Sequence, residues 1–250
     1  MRLIQKQVIK YQQLLAKLQQ ELEKLPSGCL YYRRGYFMHS DKGKEVGVTH
    51  NEVLLRQLAR KKLLERWIKE IQANLSLKLC KSPQWQYTTM DEKLKSLPSA
   101  YQKLPREYFY HPSVEKFLSA PYTQNPFKED KKDYKTRNGV WVRSRAEKMI
   151  GDLLEDFGLP YRYEVLFKAG KKSIYPDFII INPFTGKIFI WEHYGALHEL
   201  GYEKSMNDKM DLYRRNGYQL FKNLIATFEF DIRNAERLEE IIKDIILDGI

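Results

Sequence analysis

Two acidic residues stand beside strongly apolar runs. Asp177 follows Pro176 and opens Phe178-Ile179-Ile180-Ile181, and Glu192 closes Ile188-Phe189-Ile190-Trp191. A carboxylate next to so apolar a stretch either sits at the end of a sheet or holds a partner. Asn182-Pro183-Phe184-Thr185-Gly186 has turn chemistry, so the two runs read as a hairpin. If Asn182 pairs with Lys187, antiparallel counting puts Asp177 opposite Glu192. If Ile181 pairs with Lys187, the register slips by one residue. In both registers the carboxylates lie close along the ladder. Two adjacent anions repel unless a cation sits between them, and hard oxygen ligands suit Mg²⁺ or Mn²⁺. The competing reading, a turn cap or a pair with Lys or Arg, is the better one for an isolated acid. It is the weaker one for Pro-Asp on one strand with a second acid on its hairpin partner.

The elements that must position these residues follow from the pattern around them. Ser144–Phe157 reads as an amphipathic helix with Met149, Ile150, Leu153, Leu154 and Phe157 on one side, ended by Gly158. Strands are expected at Tyr161–Phe167, Ser173–Ile181, Lys187–Tyr194 and Leu224–Phe230, with helices at Glu203–Asn216 and Ala235–Leu247. The order α-β-β-β-α-β-α describes a mixed sheet flanked by helices, an α/β (α+β) class. Lys209 and Tyr213 are four residues apart and so share a helix face.

This ordered set resembles the PD-(D/E)-x-K phosphodiesterase superfamily, the restriction-endonuclease-like fold of many restriction enzymes, resolvases and RecB-type exonucleases. The resemblance covers about residues 140–230. Pro176-Asp177 matches the PD and Glu192 the second acid. Glu147, in Arg143-Ser144-Arg145-Ala146-Glu147, stands where the family's preceding helix contributes a glutamate. Lys209 and Tyr213 look like the Q-x-x-x-Y motif of the exonuclease branch, with Lys in place of Gln. One departure matters: the family's lysine belongs two residues after Glu192, where this chain has Tyr194. Trp191-Glu192-His193-Tyr194-Gly195 also resembles the Trp-Glu-His-x-Gly block of an uncharacterised bacterial subgroup. The resemblance implies a Mg²⁺- or Mn²⁺-dependent nuclease. Its catalytic set is Glu147, Asp177, Glu192, Lys209 and Tyr213. Its metal shell draws on Asp177, Glu192, Glu147 and the His193 carbonyl. Lys209 is the leading substitute for the displaced lysine. DNA comes before RNA as substrate on the family pattern. The runner-up is a nucleic-acid-binding module that keeps the fold without turnover.

The remainder of the chain is basic. The net charge is +11, and residues 1–140 carry 27 Lys/Arg against 14 Asp/Glu while 141–250 carry 16 against 18. That asymmetry suits a polyanion, and a solvated surface accounts for it equally well. Ile4, Val8, Tyr11, Leu15, Leu18, Leu22 and Leu25 form an a/d seam, either an intramolecular helical hairpin or a homodimer interface. Residues 29–48 read as a β-hairpin, and Asn51 caps a second helix running to about Leu79. Short helices are expected near Asp91–Leu97 and Ser113–Leu118. Tyr31, Tyr32, Tyr36 and Phe37 beside Arg33 and Arg34 make either a stacking platform for bases or an ordinary packed hairpin face. Arg33, Arg34, Arg143 and Arg145 are the cations expected on nucleic acid. Residues 1–80 read as a basic helical region, 81–139 as a Pro- and aromatic-rich connector with a polar linker from Lys128 to Asn138, and 140–250 as the nuclease domain. His50 and His198 fall in loops with no visible partner.

No run approaches the ~18 apolar residues of a membrane span, and the N-terminus lacks a signal-peptide pattern. Cys29 and Cys80 form no spacing motif, which disfavours a disulfide scaffold or a cysteine zinc site and points to a cytoplasmic protein. No phosphate-binding loop is present.

Overall fold

A computed structural model describes residues 2–77, 88–126, 132–170, 172–195 and 202–247. The chain forms two compact units, 1–110 and 111–249. The division falls ahead of the expected boundary at 139/140, because the segment from residue 111 onward is tied to the second unit. Leu166 N donates to Thr123 O, Asn125 N donates to Glu164 O, and the Arg162 guanidinium donates to the carbonyls of Phe117 and Ala120.

In the first unit, α1 (Arg2–Leu22) packs along α2 (Glu52–Ser76). Tyr11 and Leu18 of the heptad seam are each 5% exposed, so the seam is used within the chain. Arg60 of α2 is buried and donates through Nε to Glu21 of α1 at 2.7 Å. Asn51 is the α2 cap, accepting from Leu54 N at 3.0 Å. Between these helices in sequence lies a meander of three strands, one more than a hairpin: β1 (Cys29–Arg33), β2 (Tyr36–Asp41) and β3 (Lys44–Gly47). The unit closes with α3 (Met90–Lys95), α4 (Ser99–Gln102) and a 3₁₀ turn at Arg106–Phe109. The expected end of the second helix at Leu79, His198 and the first part of the polar run from Lys128 lie outside the described residues.

The second unit holds α5 (Ser113–Ser119), the short pair β4 (Tyr134–Lys135) and β5 (Trp141–Val142), and α6 (Arg145–Asp156). Then come β6 (Tyr161–Tyr163), the hairpin β7 (Phe167–Ala169) and β8 (Lys172–Ile174), β9 (Phe178–Ile181) and β10 (Ile188–Tyr194). Last are α7 (Tyr202–Arg215), β11 (Leu224–Phe228), α8 (Glu229–Ile232) and α9 (Ala235–Ile241), which continues as a π-helical turn over Ile242–Leu247. The sheet order is β11-β10-β9-β6; β9 is antiparallel to both neighbours, and β10 and β11 are parallel, joined through α7. This is the mixed α+β sheet flanked by helices that the element order predicts.

Alternation along the strands sends side chains to two cores. Phe189 and Trp191 pack with Ile150 and Leu154 of α6 and with the C-terminal helices, while Ile190 packs with Tyr213 and Met210 of α7. Two expected strands are shorter than their apolar runs. Glu164 takes a left-handed φ of 45° and ends β6. Pro176, with no N–H to give a ladder, separates β8 from β9.

Gly151 marks where α6 meets the β4–β5 turn. A Cβ there falls 2.7 Å from Thr136 Cγ2 and 3.4 Å from Tyr161 Oη. Thr136 is pinned, donating to Glu155 Oε1 at 2.7 Å and accepting from Val140 N at 3.1 Å. Glycine-to-alanine inside an exposed helix gains about 1 kcal/mol. Here Gly151→Ala lowers the melting temperature instead, and Thr136→Ser in that background restores it by removing the obstructing methyl. Thermal melts of the two variants check this.

Candidate acidic site on the central hairpin

The β9–β10 register pairs Phe178 with Trp191 and Ile181 with Ile188, which carries Asp177 opposite Glu192 and Asn182 opposite Lys187. The first of the two alternatives left open by the sequence is the one adopted. Asn182 sets it. Its side-chain Oδ1 accepts from Phe184 N and Thr185 N at 2.8 Å each, which shapes the turn. Its backbone N donates to Lys187 O at 2.9 Å, which closes the ladder.

Glu192 is 1% exposed. Both of its carboxylate oxygens are engaged from α7. Lys209 Nζ donates to Oε2 at 2.5 Å, and the Tyr213 hydroxyl donates to Oε1. The i,i+4 spacing on α7 is what delivers both donors to one carboxylate. Lys209 Nζ also lies 3.4 Å from Tyr175 O. Asp177 is fixed by a backbone donor, His193 N to Oδ2 at 2.7 Å. Burial holds the Asp177 carboxyl well above the usual range, and the neighbouring Glu192 adds to that. Burial also raises Glu192, against the opposing pull of Lys209. The Tyr213 hydroxyl is pushed far upward by burial and by Glu192, so it remains a donor at physiological pH. Two carboxylates thus share one lysine, and the pair retains an appetite for a proton or a further cation.

Glu147 lies at the start of α6, where its Oε2 accepts from Arg143 N at 2.8 Å, Ser144 N at 3.0 Å and Tyr163 Oη at 2.9 Å. It forms the capping box with Ser144 and acts on Asp177 through its charge. Among the described residues, no three His, Cys, Asp or Glu side chains converge as a metal-holding group. The side chains that could hold a metal are the opposed Asp177 and Glu192, the latter in exchange for its contacts with Lys209 and Tyr213. Two hard carboxylates suit Mg²⁺, which keeps several waters of its own.

His193 turns to the opposite face of the sheet. Its Nδ1 is 3.3 Å from Thr227 Oγ1 and its Nε2 is 3.5 Å from Glu229 Oε1, and burial lowers its pKa. Of the arginines expected on nucleic acid, Arg145, Arg33 and Arg34 are exposed. Arg143 is engaged internally, with Nε 2.7 Å and Nη2 2.9 Å from the two oxygens of Glu164. Thr227, on the His193 face, is a contact of the site strand that sequence reasoning missed. Fully buried, it accepts from Trp191 Nε1 at 2.9 Å and lies 3.5 Å from Glu192 O. Its position opposite His193 depends on the parallel β10–β11 register, which no local signal reveals.

Comparison with known proteins adds little to this geometry. No family model matches the chain, and no solved structure matches it. A stretch of 88 residues, 35% of the chain, is 33% identical to an uncharacterised protein of Methanocaldococcus jannaschii, MJ1519, and spans 7% of that protein's length. Among the described residues, no helix is long and apolar enough to cross a membrane.

Proposed function

We propose that the second unit is a metal-dependent nuclease of the PD-(D/E)-x-K type, hydrolysing phosphodiester bonds in DNA. The observation that carries this reading is the opposition of Asp177 and Glu192 with Lys209 held at 2.5 Å from Glu192. The sheet order and the α6 and α7 placements support it. Asp177 and Glu192 would hold Mg²⁺ or Mn²⁺, which supplies Lewis acidity toward water and phosphate. The chain's own residues do the rest. Tyr213 fixes the Glu192 carboxylate, His193 N orients Asp177, and the Lys209 ammonium supplies positive charge where Tyr194 stands in the family lysine's place.

A second reading has its own observation. Lys209 and Tyr213 already occupy both oxygens of Glu192, as in a fold that binds nucleic acid without turnover. One experiment separates the two. Full-length protein is incubated with linear, circular and single-stranded DNA and with RNA, each with Mg²⁺, Mn²⁺ or EDTA. The expected result is DNA cleavage that requires the metal. Intact substrates under every condition, with retained binding, establish the second reading.

A further inference from the structure

The three-stranded sheet of the first unit has one packed and one open face. Register pairs Leu30 with His39, Tyr31 with Met38, Tyr32 with Phe37 and Arg33 with Tyr36. Alternation therefore puts Leu30, Tyr32, Phe37 and His39 on one side and Tyr31, Arg33, Tyr36 and Met38 on the other. The first side turns inward along β1 and β2, where Leu30 is buried, Tyr32 meets Phe37 edge-on and Lys103 Nζ lies 5.0 Å from the Tyr32 ring, while Val46 on the edge strand β3 stays exposed. Tyr32, near the rim of that side, keeps 40% of its surface. On the second side Tyr36 is 60% exposed and Arg33 is exposed, while Tyr31 and Met38 are half-buried and Glu45, paired with Ser40, lies beside Tyr31 away from the Arg33–Tyr36 end.

The turns carry a second, independent observation. Both are two-residue loops with two left-handed residues, Arg34 (φ 51°) and Gly35 (φ 89°), then Lys42 (φ 47°) and Gly43 (φ 80°). Asn-Gly is the favoured pair in such loops, and a long side chain at the first position is strained. Each hairpin tip nevertheless carries a cation there, joined on the open side by Arg33. Strain kept at an exposed charged position points to use of that charge. The surroundings agree: residues 1–110 carry 21 Lys/Arg against 10 Asp/Glu, while 111–250 carry 22 against 22.

We propose, taking from the reading above only that the partner is nucleic acid, that this open face binds single-stranded nucleic acid. Unpaired bases stack on Tyr36, and phosphates meet Arg33, Arg34 and Lys42 at the two ends of the sheet. A duplex hides its base faces and cannot use the tyrosine in this way.

The test uses full-length protein in EDTA and a labelled mixed-sequence single-stranded DNA oligonucleotide, read by fluorescence anisotropy. Tyr36→Ala weakens binding roughly tenfold. Tyr32→Ala, on the packed side, does not. Arg34→Asn and Lys42→Asn each flatten the salt dependence by about 0.7 log units for every phosphate no longer bound. Because Asn tolerates the left-handed turn, both variants hold or raise the melting temperature while binding falls, an outcome that a purely structural role does not produce. Wild-type affinity in Tyr36→Ala overturns the proposal. So does equal affinity for the matching duplex, or equally effective competition by polyglutamate, which means that the face reads charge alone. Binding is measured without metal, so its loss or survival is independent of cleavage, and failure of either reading leaves the other intact.

Discussion

Lys209→Met is expected to cost the protein both cleavage and stability, by separable amounts. Glu192 is 1% exposed and Lys209 Nζ is the cation on it at 2.5 Å. Removing one partner of a buried pair leaves an uncompensated charge and costs about 3 kcal/mol. In a chain of this size that lowers the melting temperature by about 10 °C. Single-turnover cleavage with saturating Mg²⁺ falls about a hundredfold or more, the usual loss when a charge-stabilising donor is removed. Glu192→Gln in the Lys209→Met background removes the stranded charge. Stability then returns while cleavage does not. His193→Ala leaves cleavage far less affected, because the imidazole lies on the opposite face near Thr227 and Glu229. Wild-type cleavage in Lys209→Met, with collapse in His193→Ala, overturns the assignment of Lys209. An unchanged melting temperature in Lys209→Met overturns its role in neutralising Glu192.

Local chemistry made the acidic hairpin legible. Pro176 marks the start of one strand, Asn182 and Gly186 fix the turn, and the apolar runs between them leave the two carboxylates as the polar ends. The i,i+4 spacing of Lys209 and Tyr213 announced a shared helix face, and the structure turns that face onto Glu192. Other features depend on pairing between distant segments and leave no local trace. Thr227 meets Trp191 and His193, behind the site strand, through the parallel β10–β11 register. The Arg143–Glu164 pair arises from a left-handed residue that ends a strand whose composition reads as continuous. Glu147 shows the converse: Ser144-x-x-Glu147 is a capping-box signature in its own right, and the structure uses it as one. The open and packed faces of the first sheet alternate residue by residue, so composition alone could not divide its tyrosines between them.

Asp177→Asn is expected to abolish metal-dependent cleavage while stabilising the metal-free protein, in a pH-dependent way. Asparagine keeps an oxygen to accept from His193 N, which now meets Asp177 Oδ2 at 2.7 Å, so local geometry survives. It also removes a carboxylate that burial and Glu192 hold well above its ordinary pKa. The raised pKa sets the sign of the pH dependence. The native state binds the Asp177 proton more tightly than the unfolded chain does. Asp177 therefore favours folding at acidic pH and loses that contribution as pH rises through its folded pKa. Asparagine cannot ionise and loses nothing. In EDTA the variant and the wild type melt together near pH 4, the ordinary carboxylate range, and the variant melts several degrees higher at pH 7. Added Mg²⁺ reverses the order, because an ion that binds the native wild type raises its melting temperature and the variant has lost one of its two ligands. Differential scanning calorimetry at the two pH values, with and without Mg²⁺, reads all four states. A variant that melts below wild type at pH 7 in EDTA shows that the Asp177 charge is already compensated within the chain. No cation is then needed between the two carboxylates, and the metal-dependent reading loses its physical basis.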